Sequence, residues 1–332
     1  MYLKISAWLF LLCTSLKTHA QGFEMPLYEA DIPNSTGHFT ADSWTSNYSA
    51  VSKVSKPYLL ILTPQQHKLR TSAVIIFPGG GYSYEEYERE GKSIGMELVQ
   101  QNITACTVRY RLPDSTTMQN PAIGPIQDAQ QAVQFVRSQA KDWLIDPDRI
   151  GVMGFSAGGH LAAMAATQFD SVYVPRIPGS SVRPDFMILV YPVISMKDPL
   201  AHAGSRERLL GASPSEALEA QFSNELHVTD KTPPAYLIYA KDDSTVSPRN
   251  SILFYQQLKL HGVDAHLEAL EHGGHGFAGA IPAKQWMQHL FAWMRQSGWI
   301  LDMAPEDMQP LVLPPPAPPQ IPATTAAKEV AR

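Results

Sequence analysis

Cysteine, clustered basic residues and metal-binding spacings are scarce or absent in this sequence of 332 residues. The net charge is −5 and there is no dense run of Lys and Arg, so the composition does not favour a nucleic-acid-binding protein. No H-E-x-x-H or C-x-x-C spacing occurs, and the sequence therefore predicts no metal site. The phosphate-binding pattern G-x-x-x-x-G-K-[ST] is missing too. Paired carboxylates typical of glycoside hydrolases cannot be picked out either.

A hydrophobic run long enough to cross a membrane is also missing. The apolar run at residues 5–12 is too short to span a bilayer. Lys4 precedes this run, and Ala20 offers a small residue at a cleavage point. Residues 1–20 are therefore predicted to be a secretory signal peptide, and the protein is predicted to be secreted or periplasmic.

The two cysteines have different expected fates. Leu12 precedes Cys13 where a lipoprotein site would have a small residue, so lipid anchoring is not expected. Removal of the signal peptide would leave Cys106 alone, without a partner for an intramolecular disulfide. Cys106 lies in an apolar, β-rich run and is predicted to be a small core residue.

Strand-like and helix-like segments alternate through most of the chain. Apolar, β-rich runs predict strands at residues 58–62, 73–77, 103–110, 150–154, 186–191, 235–239 and 265–270. Helical patterns occur at residues 84–101, 126–140, 157–167, 248–261 and 283–296. This alternation is typical of an α/β fold in which a mostly parallel sheet is doubly wound, with helices on both faces.

Two segments depart from this alternation. Residues 192–234 are punctuated by proline and glycine, and insertions at this place in α/β sheets commonly lie over the carboxyl ends of the strands. We predict that they form a wall or cap of the substrate pocket. Residues 301–332 are rich in proline and are predicted to be a disordered or surface-draped tail, with recognition or anchoring as the alternative. The folded domain is accordingly predicted to span residues 21–300.

A glycine-flanked serine is the most informative motif. Ser156 lies in Gly154-Phe155-Ser156-Ala157-Gly158, which has the pattern G-x-S-x-G. An apolar run precedes the motif and a helix-forming run follows it. In such a strand–turn–helix context the serine is exposed on a strained turn, and the positive end of the helix faces the site. We therefore predict that Ser156 is the nucleophile of an acyl-transfer reaction.

The partners of such a serine are expected downstream, first the acid and then the histidine. Asp243 follows an apolar strand, and His275 lies in a glycine-rich loop after the next strand. A serine hydroxyl needs an imidazole to take its proton, and a carboxylate orients that imidazole. Asp243 is predicted to be the acid and His275 the base, with Asp242 and His272 as the alternatives.

A run of three glycines follows the strand predicted at residues 73–77. Backbone N–H groups at this place can bind the oxyanion of a tetrahedral intermediate, together with the N–H of the residue after the nucleophile. Gly80 or Gly81, with Ala157, is predicted to form this oxyanion hole. A plain tight turn is the alternative.

Other polar residues near these motifs have less specific interpretations. Tyr82 and His160 are candidates for substrate contact, although His160 also fits a structural role at a helix start. Arg109 and Arg111 are expected to form ion pairs at the surface or sheet edge. Asp128 is interpreted as an acidic residue in the first turn of a helix.

Together the motifs resemble the acetyl-xylan-esterase-like branch of the α/β hydrolases, over residues 26–298. The matching segments are Pro78-Gly79-Gly80-Gly81-Tyr82, Tyr110-Arg111-Leu112, Leu209-Leu210-Gly211, Pro233-Pro234 and residues 148–162, 242–246 and 273–277. Two departures are Ser247 before Pro248, where the branch usually has proline directly after the valine, and Phe77, where many relatives carry cysteine. Neither departure touches the predicted triad.

The resemblance implies an α/β-hydrolase fold and a cofactor-free serine esterase. It implies deacetylation of plant polysaccharides, such as acetylated xylan, or of small acetyl esters. A broader carboxylesterase or lipase, a serine peptidase and a non-catalytic carbohydrate-binding protein remain as alternatives. The intact Ser, Asp and His weigh against the last of these.

Overall fold

The computed structural model describes residues 21–64 and 69–301. The predicted signal peptide at residues 1–20, and all of the predicted tail after residue 301, lie outside the described residues. Within the described ranges the strands are β1 (Gln21–Pro26), β2 (Ser43–Trp44), β3 (Val51–Ser52), β4 (Tyr58–Thr63), β5 (Thr71–Phe77), β6 (Thr104–Arg109), β7 (Ile145–Phe155), β8 (Met187–Val190), β9 (Ala235–Ala240) and β10 (Ala265–Leu270).

Eight of these strands form one sheet, in the order β1-β4-β6-β5-β7-β8-β9-β10. The pairs from β6 to β10 are all parallel, whereas β1 and β4 form an antiparallel edge. The sequence predicted the mostly parallel sheet correctly but missed β1 and the direction of β4. A continuous apolar run such as that of β4 shows that both faces are buried, but it carries no information on strand direction. β2 and β3 form a separate two-stranded sheet.

Helices cover both faces of the sheet. The α-helices of the described residues are α1 (Ser93–Val99), α2 (Gly124–Ser138), α3 (Ser156–Thr167), α4 (Ala203–Leu210), α5 (Glu216–Gln221), α6 (Arg249–Leu260), α7 (Phe277–Ala280) and α8 (Ala283–Gln296). α1 packs with α8 on one face, and α2 packs with α3 on the other. This doubly wound arrangement confirms the α/β architecture predicted from the sequence.

One predicted helix differs in kind from the expectation. Where a single helix was expected over residues 84–101, the chain forms a π-helix at Tyr87–Lys92 and only then the α-helix α1. Gly91, within this π-helix, lies close to β6, since an added methyl group there would lie 2.6 Å from Thr107 Cγ2. Glu90 of the same π-helix lies in the interior.

The core lies on both sides of the central strands. All seven residues of β5 are buried, and so is every residue of α3. Cys106 is fully buried on β6, as the sequence predicted, and its burial raises the pKa of its thiol. Within the described residues, none of the helices combines the length and the apolar character that a membrane span requires.

The expectation for Arg111 was wrong. Instead of a surface pair, Arg111 and Asp128 form an interior ion pair with an Nη2–Oδ1 distance of 2.8 Å, and both side chains are at most 1% exposed. Asp128 also accepts the Tyr28 hydroxyl at 2.9 Å and the Arg111 backbone N–H at 2.8 Å. Asp128 therefore neutralises a buried guanidinium, a role that its place near a helix start did not reveal. Arg109 forms the expected ion pair, with Asp42 at an Nε–Oδ2 distance of 3.1 Å, but it lies at the end of the interior strand β6 and is buried, not at the surface or the sheet edge.

Candidate active site

The turn between β7 and α3 holds Ser156 in a strained conformation. Its φ is +51°, in the left-handed region that side chains other than glycine rarely adopt. Gly154 and Gly158 allow this turn, because a methyl group on either would lie 2.1 Å from a backbone oxygen, of Gly158 and Phe77 respectively. The serine is thus fixed at the carboxyl edge of the sheet, at the start of a fully buried helix.

His275 connects Ser156 to Asp243. Its Nε2 lies 2.8 Å from Ser156 Oγ, and its Nδ1 lies 2.8 Å from Asp243 Oδ2. The carboxylate can only accept, so Nδ1 carries the proton of the neutral imidazole and Nε2 is free to accept from the serine hydroxyl. The three residues come from loops after β7, β9 and β10, which end at the same edge because these strands are parallel.

Asp243 is itself held in place by the backbone. Its Oδ1 accepts N–H groups from Thr245 and Val246, each at 2.9 Å. Its side chain is 1% exposed, whereas that of His275 is 20% exposed. The imidazole therefore lies between a buried carboxylate and the solvent side of the site.

The two alternative residues occupy different places. Asp242 accepts N–H groups from Gly274 at 2.8 Å and Gly273 at 3.2 Å, so it braces the loop that carries His275. These hydrogen bonds, that from Gly274 foremost, lower the pKa of the Asp242 carboxyl. The His272 side chain is 89% exposed and lies 3.6 Å from Asp242. The structure therefore does not bring either alternative to Ser156.

The glycine loop after β5 lies beside the serine. β5 pairs with β7 so that Phe77 is opposite Gly154, which places the loop next to the serine turn. Gly80 and Gly81 have φ values of +131° and +63°, and among the described residues no acceptor is recorded for their N–H groups or for that of Ala157. The structure thus places the three predicted oxyanion donors at one edge, unoccupied by other parts of the protein.

Tyr82 and His160 were candidates for substrate contact, but the structure places both in the interior. They are 2% and 0% exposed, and the Tyr82 hydroxyl lies 2.8 Å from His160 Nδ1. His160 Nε2 lies 2.7 Å from the carbonyl oxygen of Phe222, so Nε2 must donate and Nδ1 must accept from Tyr82. The pair therefore links the glycine loop to α3 and to the segment around Phe222. This placement argues against direct contact with substrate and supports the structural role for His160.

The segment 192–234 reaches the site through the start of α4. Ser205 is fully buried, and its Oγ would lie 3.9 Å from a methyl group placed on Gly81. His202 caps α4 and is bonded to Ser205 Oγ at 2.8 Å. Burial, and then the charge of the neighbouring His275, lower the pKa of His202. The sequence predicted that this segment is a wall or cap of the pocket, but it did not point to these two residues, which no motif distinguished.

Comparison with known proteins assigns the fold to a family. The family model described as BD-FAE matches residues 59–258, more than half of the chain. The chain belongs to the BD-FAE family of α/β-hydrolases.

Within the described residues, no cluster of three or more His, Cys, Asp or Glu side chains is placed to hold a metal ion.

Two relatives are similar to this BD-FAE protein over part of their own length. It is 35% identical over 265 residues to an acetylxylan esterase of Xylanibacter ruminicola, an alignment that covers 77% of this chain and 51% of that protein. It is 34% identical over 211 residues to endo-1,4-beta-xylanase B of Butyrivibrio fibrisolvens, covering 63% of this chain and 33% of that protein. The chain thus spans about half the length of the first relative and a third of the second.

Solved structures of similar proteins have the same fold. An acetyl ester-xyloside bifunctional hydrolase from Caldicellulosiruptor lactoaceticus superposes with a TM-score of 0.71 at 35% identity, covering 84% of this chain and 97% of that one. A thermophilic esterase from Thermogutta terrifontis, at 24% identity and a TM-score of 0.64, shows the fold alone. The BD-FAE chain therefore has the α/β-hydrolase fold that the motifs implied.

Proposed function

We propose that this protein is a serine esterase that removes acetyl groups from carbohydrates, with acetylated xylan or xylo-oligosaccharides as the substrate class. The observation that carries the proposal is the continuous hydrogen-bonded chain of Ser156, His275 and Asp243, with a distance of 2.8 Å at each step. Such a chain is the arrangement that turns a serine hydroxyl into a nucleophile.

The first half of the reaction forms an acyl-enzyme. Ser156 Oγ attacks the ester carbonyl carbon while its proton passes to His275 Nε2, and Asp243 stabilises the imidazolium. The carbonyl oxygen becomes an oxyanion, for which the free N–H groups of Gly80, Gly81 and Ala157 are the donors. The bond from carbon to the sugar oxygen then breaks, and His275 returns the proton to the leaving alcohol.

The second half of the reaction repeats these roles with water. His275 takes a proton from a water molecule, which attacks the acetyl group on Ser156. The new tetrahedral intermediate uses the same N–H donors, and its collapse releases acetate and restores the serine hydroxyl. No step needs a metal or a cofactor, because the imidazole and the backbone donors supply the proton transfer and the charge stabilisation.

The acetyl and carbohydrate parts of the proposal are supported by relatives. An acetylxylan esterase and an acetyl ester-xyloside hydrolase are both 35% identical to this chain. Glycoside cleavage is not proposed, because the carboxyl groups of Asp243 and Glu90 are both hydrogen-bonded within the protein. Asp243 is bound to His275, and Glu90 accepts two hydrogen bonds in the interior.

Export is proposed on the sequence of residues 1–20. A polysaccharide substrate lies outside the cell, so the predicted signal peptide agrees with the proposed substrate class. Expression of the full chain in a bacterium should give a periplasmic or secreted protein whose first residue is Gln21. Recovery of the uncut chain in the cytoplasm would contradict this part of the proposal.

Ser156→Ala tests the reaction. We expect the variant to fold and to lose about 10⁴-fold or more in kcat for p-nitrophenyl acetate, because the nucleophile is gone. Ser213→Ala, at an exposed serine, is the matched control and should keep wild-type activity. Full activity in Ser156→Ala would contradict the assignment of Ser156 as the nucleophile.

A panel of substrates tests the specificity. Acetate release from acetylated xylan should greatly exceed hydrolysis of p-nitrophenyl butyrate and longer esters. A preference for long acyl chains would favour the lipase alternative, and cleavage of peptide bonds the peptidase. Binding of xylan without any hydrolysis would favour the carbohydrate-binding protein.

A further inference from the structure

A buried carboxyl group lies directly beneath the glycine loop. Glu90 is 5% exposed. Its Oε2 accepts the backbone N–H of Gly79 at 2.7 Å, and its Oε1 accepts the Tyr191 hydroxyl at 2.8 Å. Burial raises the pKa of this carboxyl, while the hydrogen bonds from Gly79 and Tyr191 oppose that rise. Neither Glu90 nor Tyr191 belongs to a motif that the sequence brought to attention.

Both partners of Glu90 lie against the reacting groups. A methyl group placed on Gly79 would be 2.8 Å from Glu90 Oε2 and 3.0 Å from Ser156 Cβ, so the carboxyl and the serine approach the same glycine. The ring of Tyr191 lies 5.0 Å from the ring of His275, centroid to centroid, at an interplanar angle of 60°. Glu90 thus contacts Gly79, which lies against the nucleophile Ser156, and Tyr191, which lies against the base His275.

The contact with Gly79 determines how the loop presents its other N–H groups. Glu90 takes the first N–H of the glycine run, while the N–H groups of Gly80 and Gly81 stay free of protein acceptors among the described residues. The opposite side of the loop is also held, because Glu86 N–H donates to the Gly79 carbonyl at 3.0 Å. Without the carboxyl, Gly79 N–H would be a buried donor without a partner, and the loop would be free to turn.

Glu90 points inward from a π-helix whose other glutamate, Glu88, lies nearer the surface. Its neighbours Glu86 and Glu88 form ion pairs at the surface, with Arg89 at 3.0 Å and Lys92 at 3.5 Å. Glu90, in the same short segment, is turned to the interior and bonded to the loop. Single π turns occur frequently at functional sites.

We propose that Glu90 is a positioning residue that fixes the oxyanion loop through Gly79 and supports His275 through Tyr191. The inference rests on the proposed esterase function and adds a residue to its machinery. Glu90 acts through the backbone of the loop and through the Tyr191 ring, without touching the substrate. Its effect belongs to the transition state, because the oxyanion forms only there.

Four variants test this role with p-nitrophenyl acetate. Glu90→Ala should lower kcat about 100-fold with KM within about threefold of wild type, because one oxyanion contact is worth about 10²–10³ in kcat. Glu90→Gln should recover kcat to within about tenfold, since its carbonyl oxygen can accept from Gly79 and its amide can donate to the Tyr191 oxygen. Tyr191→Phe, which removes one hydroxyl without leaving a cavity, should lower kcat about tenfold. Glu88→Gln, at a half-exposed neighbour whose side chain pairs with Lys92 at the surface, is the matched control and should behave as wild type.

A second readout separates positioning from folding. Phenylboronic acid forms a tetrahedral adduct with a serine hydroxyl and places an oxygen where the oxyanion would be. Its affinity should fall in Glu90→Ala in proportion to kcat, which a merely structural role would not produce. Thermal melting of each variant shows that the protein measured is folded; if Glu90→Ala does not fold, Tyr191→Phe decides.

Two results would overturn the inference, and they differ from failure of the proposed function. Wild-type kcat and boronic acid affinity in both Glu90→Ala and Tyr191→Phe would show that Glu90 positions nothing. If kcat of Glu90→Gln were as low as that of Glu90→Ala, the hydrogen bonds of Glu90 would not be what positions the loop. Esterase activity that survives Ser156→Ala contradicts the proposed function instead.

Discussion

Asp242 and Asp243 are adjacent in the chain but bind different parts of the site. Asp243 accepts from His275 Nδ1 at 2.8 Å, whereas Asp242 accepts from the backbone of Gly274 at 2.8 Å and Gly273 at 3.2 Å. One carboxylate therefore orients the imidazole, and the other shapes the loop that carries it. Only the geometry distinguishes their roles, because both residues follow β9 and the sequence allows either to reach a histidine.

Replacing the two acids by asparagine should give very different enzymes. In Asp243→Asn the amide can donate to Nδ1, which forces the proton onto Nε2 and blocks proton transfer from Ser156. We expect kcat for p-nitrophenyl acetate to fall about 10³- to 10⁴-fold. Asp242→Asn, the matched control, keeps an oxygen that accepts from the loop and should stay within about tenfold of wild type. Equal losses in the two variants would contradict the assignment of Asp243.

Gly158 should tolerate no side chain. A methyl group there would lie 2.1 Å from the carbonyl oxygen of Phe77 and 2.4 Å from that of Pro78, so either α3 or the glycine loop must move. We expect Gly158→Ala to lower the free energy of unfolding by about 3 kcal/mol, at the upper end for overpacking. Urea denaturation followed by circular dichroism measures this change.

A second glycine provides the control for that measurement. In Gly204→Ala, on α4, the new methyl group would meet only the His202 ring, at 3.4 Å. Because alanine favours helix over glycine, this variant should be as stable as wild type or up to about 1 kcal/mol more stable. A Gly158→Ala protein no less stable than wild type would show that α3 and the loop are not in close contact.

The sequence predicted the parts of the structure that depend on local pattern. The strands from residue 73 onward and the long helices follow from apolar runs and helical periodicity, and their order fixes which loops meet at one edge. That edge brings together Ser156, Asp243 and His275. The role of the glycine residues around Ser156 could be predicted because a tight strand-to-helix turn needs them.

Features that depend on contacts between separate segments could not be predicted from the sequence. Arg111 and Asp128 are 17 residues apart, and a charged residue in a sequence shows no sign of a buried partner. Glu90 lies in a polar run, Tyr87–Lys92, whose composition indicates an exposed helix turn. Its burial is seen only in the contacts of this segment with β6 and with the glycine loop, which no local pattern encodes.

Asp128 should be among the most destabilising sites for substitution. Asp128→Ala leaves Arg111 charged and 1% exposed without its carboxylate partner. Removing one member of a buried pair costs about 3–5 kcal/mol, so the free energy of unfolding should fall by that amount. Asp146→Ala, whose pair with Arg149 is about 30% exposed on both sides, is the control and should change stability by less than about 1 kcal/mol. Chemical denaturation of both variants would reveal equal effects if the interior pair were unimportant.

His160 should make the protein less stable in acid. Complete burial of the ring lowers the pKa of this imidazole from 6.5 to about 4, and the hydrogen bond to the Phe222 carbonyl opposes that fall. Between these two pH values the unfolded chain binds a proton that the folded protein does not, so the free energy of unfolding decreases as the pH falls from 6.5 to 4. At 1.36 kcal/mol for each pKa unit, the contribution of His160 to this decrease is about 3 kcal/mol.

His160→Gln isolates that contribution from other titrating groups. The glutamine amide can donate to Phe222 and accept from Tyr82, as the neutral imidazole does, but it does not titrate. Urea denaturation at pH 7 and pH 4.5 should therefore show a smaller loss of stability in His160→Gln than in the wild type. His38→Gln, at an exposed histidine, should retain the wild-type pH dependence. An equal loss in His160→Gln and the wild type would mean that the buried ring takes up its proton without cost to the fold.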